Sequence, residues 1–313
     1  MLKPSNNKIY VSGSMAYDRI MDFPGRFSDH ILPDKLHILN VCFTVNGMKE
    51  KFGGTAGNIA YSLSLLEEKP IILSTIGKDY SPYFNWLKYN NISTETIKII
   101  EDEFTASAYI TTDQADNQIT GFNPGAMKYP SDFDFEDGID KNSIAIISPG
   151  NLTDMINYAK RYKEAGIRYI CDPGQSLTAW DGKALSDWIE GSYILITNDY
   201  ELELVMKITS LKKEELLKKT AHIITTLGEK GALISFKNEE IHIKPAKVKE
   251  VLDPTGAGDA FRAGLIKGIV NGMDIETSAK LGAVAATYAI EQYGTQEHYY
   301  TIADFIKRYN ENY

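Results

Sequence analysis

The chain has 313 residues, 43% of them apolar and 24% charged, which excludes a disordered chain or a coiled coil and leaves about two domains or one large α/β domain. Thirty-three Lys and Arg against 42 Asp and Glu give a net charge of −9 with no basic block, a balance that disfavours nucleic-acid and anionic-membrane binding. The two cysteines, Cys42 and Cys171, are too far apart in sequence to suggest a disulfide framework and fit a reducing compartment. No apolar run reaches transmembrane length and the N-terminus has no signal-peptide core, so a cytoplasmic protein is expected.

Taken in chain order, residues 14–50 form a first β excursion. It holds the turn Asp22-Phe23-Pro24-Gly25 and the alternating run Val41-Cys42-Phe43-Thr44-Val45, which predicts a strand. A Gly-rich stretch follows at 52–60 and opens a helix over 61–67. A second β excursion covers 102–125, with runs at 106–112 and 118–122 around a polar turn. Strands are then predicted at 144–148, 168–172, 193–197 and 222–226, with helices at 153–165 and 200–207 between them. Such continuous apolar strands separated by helices predict a parallel sheet covered on both faces. Helices over 259–271, 275–293 and 302–309 close the chain. The two excursions predict a small sheet over one edge of the main one, either a lid or a plain extension of it.

Two segments carry chemistry. In Asp253-Pro254-Thr255-Gly256-Ala257-Gly258-Asp259-Ala260-Phe261 a Gly-rich turn runs straight into a helix. Its unpaired N–H groups and positive dipole end suit a phosphate or an anionic transition state. Asp259 then reads either as a helix cap or as a general base beside an anion hole. In Phe52-Gly53-Gly54-Thr55-Ala56-Gly57-Asn58 three glycines in five positions expose backbone that a ligand can approach, and Asn58 can bond a hydroxyl or cap the helix. The P-loop, protein-kinase, His-Glu-x-x-His and Gly-x-Ser-x-Gly patterns are missing from the sequence.

In this order, about 200 residues apart, the two Gly-rich segments resemble the signatures of the ribokinase (PfkB) family of carbohydrate and nucleoside kinases. The resemblance implies a ribokinase-like α/β fold: a parallel-rich sheet between helices, with a small β lid inserted in two segments, near 14–50 and 102–125. It implies transfer of the ATP γ-phosphoryl group to a hydroxyl, with Asp259 as base and the backbone of Gly256, Ala257 and Gly258 as anion hole. It puts Asp18, Gly53, Gly54 and Asn58 on the acceptor. It puts Asn198, Thr225, Gly228 and Ala283 on ATP, and Glu201 on a water-bridged Mg2+. Asp253 and Thr255 match part of a monovalent-cation site, where His298 departs from the small hydroxyl residue often found nearby.

The lid residues Phe43, Phe104 and Phe122 are expected either to stack on a base or to form a small lid core. Gln118–Ala126 and Tyr293–His298 look like the adenosine and nucleoside kinase branch. The expected acceptor is therefore the 5′-hydroxyl of a nucleoside, adenosine first. A kinase of ribose, fructose or a sugar phosphate is the alternative, and a non-catalytic nucleoside sensor a third reading. Small-molecule substrate and ATP are the expected partners, with the chain a monomer or a lid-mediated homodimer.

Overall fold

The computed structural model describes residues 2–31, 33–38, 40–135, 138–237 and 239–313. Residues 32 and 39 of the first excursion therefore lie outside the described residues. Nine strands form the main sheet: β1 (Ile9–Ser12), then β4 (Pro70–Gly77), β5 (Ile97–Ile100), β8 (Ile144–Ile147), β9 (Arg168–Cys171), β10 (Ile194–Asn198), β11 (His222–Thr226), β12 (Ala232–Phe236) and β13 (Glu239–Ile243). Their spatial order is β13-β12-β11-β10-β9-β8-β1-β4-β5. All neighbours pair in parallel except β11 with β12 and β12 with β13.

Alternate residues of these strands face two separate cores. Ile9, Val11, Ile144, Ile146, Ile170, Ile194 and Ile196 belong to one cluster. Tyr10, Ala145, Ile147, Tyr169, Cys171 and Leu195 belong to the other. Both faces are buried, so the strands read as unbroken apolar runs in sequence. The first core is closed by α1 (Thr55–Leu65), α7 (Ala257–Val270), α8 (Ile275–Ile290) and α9 (Ile302–Asn312). The second is closed by α3 (Leu152–Ala165), α4 (Gly182–Ile189) and α5 (Asp199–Thr209). Asn151 caps α3 through the amides of Thr153 and Asp154, and Gly166 ends it at φ 68°. Among the described residues no helix is long and apolar enough to cross a membrane.

A second sheet lies apart from the first. It comprises β2 (Ala16–Asp22), β3 (Met48–Gly53), β6 (Ala106–Thr112) and β7 (Gln118–Asn123) in the order β3-β2-β6-β7. The pair β6–β7 is the hairpin expected from 102–125. The expected strand at 41–45 is absent: these residues have no ladder partner, and the strand of that excursion is the polar Met48–Gly53 paired with β2. Alternation made Val41–Val45 look like a strand, but its Phe43 packs into an aromatic cluster instead, 4.8 Å from Phe23 and 4.9 Å from Phe27 between ring centres. Arg19 ties the second sheet to the first: its guanidinium bonds Glu50, Ser107 and Tyr109 and reaches Asp79, in the turn after β4.

Candidate active site

The carboxyl ends of β8, β9, β10 and β11 open into a cleft of about 570 Å³. Ligands of open parallel sheets bind at this end, where the strands stop and helices begin. Asp172 just past β9, Asn198 at the end of β10 and Thr226 at the end of β11 reach it, and Asp18 reaches it from β2 of the second sheet. The two Gly-rich segments complete its lining through Gly54, Asn58, Gly256, Gly258 and Asp259.

Gly256, at φ 81°, is the N-cap of α7, and no side chain caps this helix. Asp259 is the third residue of the helix rather than its cap. Its Oδ2 accepts instead from Asn58 Nδ2 at 2.8 Å, 201 residues away in sequence. Burial pushes the Asp259 carboxyl up to about 6, against the opposing pull of Arg262 and the Asn58 amide. Asp18 is likewise raised, by burial and then by Asp253.

One turn beyond Asp259, Arg262 forms a buried two-pronged pair with Asp172, Nε to Oδ2 and Nη2 to Oδ1, both at 2.6 Å. Neither residue stood out in the sequence. The signals were there: Arg262 is at i+3 from Asp259, on the same helical face, and Asp172 ends a parallel strand.

Other expected residues take different places. Asn198 and Glu201 form a capping box on α5: the Asn198 side chain accepts the Glu201 amide at 2.7 Å, and Glu201 Oε2 accepts the Asn198 amide at 2.8 Å. Both still line the cleft, where burial raises the Glu201 carboxyl. Thr225 does not line it. Adjacent strand residues face opposite sides, so Thr225 is buried and Thr226 faces the cleft beside Gly228. Ala283 is buried within α8 in the first core. Phe43 belongs to the aromatic cluster of the second sheet, while Phe122 and Phe104 are each 51% exposed. Phe104 lies under the Lys78 ammonium at 4.2 Å. His298 is buried against α1, its Nε2 3.2 Å from Ser62 Oγ, and burial drives its pKa down to about 4.

Asp253 braces the loop. Its Oδ1 accepts the Thr255 amide at 2.9 Å and its Oδ2 the Gly294 amide at 3.0 Å. Five carboxylates (Asp18, Asp172, Asp199, Glu201 and Asp259) line the cleft against one guanidinium, Arg262. The cleft is strongly acidic, and the Glu201 carboxylate is of the hard oxygen type that Mg2+ accepts. Among the described residues no cluster of three or more His, Cys, Asp or Glu could hold a metal ion.

The family model for pfkB family carbohydrate kinases matches residues 13–301. A nucleoside kinase of Methanocaldococcus jannaschii is 31% identical over 277 residues, covering 86% of this chain and 89% of that protein. The solved structure of the nucleoside kinase from that organism superposes with a TM-score of 0.87 over 99% of this chain and all of the other, at 28% identity. A Burkholderia thailandensis nucleoside kinase solved in complex with inosine gives 0.83 at 35% identity, covering 97% of this chain and 98% of that one.

Proposed function

This chain belongs to the pfkB family of carbohydrate kinases, phosphotransferases with an alcohol group as acceptor, and on that premise we propose that it moves the γ-phosphoryl group of ATP to the 5′-hydroxyl of a nucleoside, adenosine first. The observation that carries this reading is Asp259: a half-buried carboxylate in the first turn of a helix that no side chain caps, in the same cleft as Asp18. The similarity to nucleoside kinases, one of them solved with inosine, supports the acceptor class.

In the proposed reaction Asp18 accepts hydrogen bonds from the ribose hydroxyls and Gly54 lets the sugar lie against backbone, whereas Gly53 is buried away from the cleft lining and leaves room for the Asp18 carboxylate. Asp259 takes the proton of the attacking hydroxyl as its oxygen closes in line on the γ-phosphorus. A carboxyl near pH 6 is ionised at neutral pH yet basic enough for that proton. The amides of Gly256, Ala257 and Gly258 stabilise charge on the phosphoryl oxygens. Arg262 sets the local field from behind and is itself held by Asp172. Asn198, Thr226 and Gly228 border the nucleotide. Glu201 would hold Mg2+ through water, and that ion, when bound, neutralises phosphate charge and aligns the leaving group.

The second sheet acts as a lid that excludes water, with Phe122 and Phe104 available to stack on the base. A monovalent cation beside Asp253 would draw on the lone pairs its carboxylate keeps free, since each oxygen accepts only one amide. The exposed strands of the second sheet leave a lid-mediated dimer open to test. The unpaired Cys42 and Cys171 suit a cytoplasmic reaction.

The test is ATP and Mg2+ turnover against adenosine, inosine, other nucleosides, ribose, fructose and fructose 6-phosphate. The highest kcat/KM is expected with a nucleoside. Preference for a sugar would overturn the acceptor while keeping the family chemistry.

A further inference from the structure

Gln296 lies in the segment after α8, 2% exposed, where it meets α1 and the helix α2 (Ser81–Tyr89). The Trp86 indole Nε1 donates to Gln296 Oε1 at 2.8 Å. Gln296 Nε2 donates to Asn58 Oδ1 at 3.0 Å and to Tyr83 Oη at 2.7 Å. The Tyr83 hydroxyl spends its own proton on the Gly53 carbonyl at 2.7 Å. Asn58 Nδ2 then donates to Asp259.

Every direction in this chain follows from one group. An indole N–H can only donate, so Gln296 must turn its carbonyl to Trp86 and its NH2 group to Asn58. Asn58 must in turn offer its oxygen to Gln296 and its NH2 group to the carboxylate. Gly57 leaves the necessary room: a methyl group there would overlap the Tyr83 hydroxyl and lie 3.1 Å from Gln296 Nε2.

We infer that Gln296, with its amide oriented by Trp86, is a positioning residue for the reaction: it fixes the Asn58 amide so that an N–H donor, and never a carbonyl, faces Asp259. This rests on the reading of Asp259 as general base. A donor favours the ionised carboxylate that accepts the proton, whereas a facing carbonyl favours the protonated, inactive form. The other charges around Asp259 are Arg262 on its own helix, Asp172 after β9 and Glu201 on α5, and the neutral Tyr83 hydroxyl on α2 stands between it and Asp18 on β2. Substitution at 86 leaves all of them in place, and substitution at 296 leaves Arg262 and the carboxylates in place while removing one donor to the Tyr83 hydroxyl.

The experiment records kcat and kcat/KM against pH for the full chain with ATP, Mg2+ and the best acceptor of the panel. The variants are Gln296→Met, Trp86→Phe and Asp259→Asn. Gln296→Met should lower kcat about tenfold or more, the scale of a lost supporting contact. It should also move the acid limb up by about half a pH unit or more, with KM for ATP little changed. Trp86→Phe keeps an aromatic ring against Phe52 and Tyr61 while removing the donor and part of the indole. It should shift the limb in the same direction by less, and it decides the matter if Gln296→Met fails to fold. An acid limb unmoved in the folded variants, with Asp259→Asn inactive, overturns the role of Gln296 and leaves the base in place. Wild-type turnover by Asp259→Asn overturns the base and this inference with it.

Discussion

The two glycine-rich junctions are alike in sequence and differ in what their helix amides do. Each places a glycine of positive φ at the N-cap, Gly54 (87°) before α1 and Gly256 (81°) before α7, and neither glycine has a side chain with which to cap. At α1 the gap is filled from outside: Ser14 Oγ accepts the Thr55 amide at 3.1 Å and the Ser14 carbonyl accepts the Ala56 amide at 3.0 Å. At α7 no side chain caps the helix, and the Ala257 amide reaches only its own loop, at Pro254 O, 3.3 Å away. A Gly-rich turn into a helix therefore offers an anion site only where the neighbouring chain leaves its amides unclaimed. Asn58 and Asp259, one from each junction, join the two across the cleft.

The largest expected effect comes from the α7 side. Asp259→Asn should cut kcat by roughly 10²–10⁴-fold, the range for a lost general base, while calorimetry still detects nucleoside binding. The same variant should melt higher than wild type at pH 7. Burial raises the folded carboxyl to about 6, so the folded state holds the proton more tightly than the unfolded one. Stability therefore falls as pH rises from about 4 to about 6, and the uncharged variant escapes that loss. A melting advantage that closes toward pH 4 confirms the sign; equal melting temperatures at every pH would remove burial as the cause.

Next comes a pair that separates the junctions. Gly258→Ala, which keeps its amide N–H but crowds the Arg262 guanidinium, should lower kcat by up to about 10²-fold, the scale of a lost anion-hole donor, with a smaller change in melting temperature than Gly54→Ala. The added methyl falls 2.8 Å from Arg262 Nη1, so the guanidinium must shift slightly while its other nitrogens keep Asp172. Gly54→Ala should lower the melting temperature far more, with KM for the acceptor raised and kcat less affected than in Gly258→Ala. Its methyl falls 2.6 Å from Ser14 O and 2.7 Å from Ala16 N, backbone atoms that cannot yield, at a φ that costs about 1–3 kcal/mol. Kinetics beside thermal melts decide it, and matching profiles for the two variants would break the comparison. The smallest effect is that of Ser14→Ala, about 1 kcal/mol from the lost acceptor at Thr55, with kcat within about twofold of wild type. A fall in kcat as deep as that of Gly258→Ala would mean that α1 also faces an anion.

Legibility in the sequence followed burial. The strands at 144–147, 168–171, 194–198 and 222–226 were readable because both faces are apolar. Strand β3 was not: Met48–Gly53 is polar and mostly exposed, and it is a strand only because β2 lies beside it. The site divided in the same way. The glycines and Asp259 stood out as a local pattern. The Arg262–Asp172 pair spans 90 residues and the Gln296–Asn58 bond spans 238, so neither leaves a local trace.

By itself the sequence determined the layered α/β class, the two glycine-rich turns and the carboxylate that follows the second, because periodicity and glycine preference act over a few neighbouring residues. The tertiary structure alone decided which helix start stays open, that Thr226 rather than Thr225 faces the cleft, and that Asn58 turns its NH2 group toward Asp259. Those outcomes depend on which distant donors and acceptors are brought within about 3 Å of one another, and a hydrogen bond is selective only at that range.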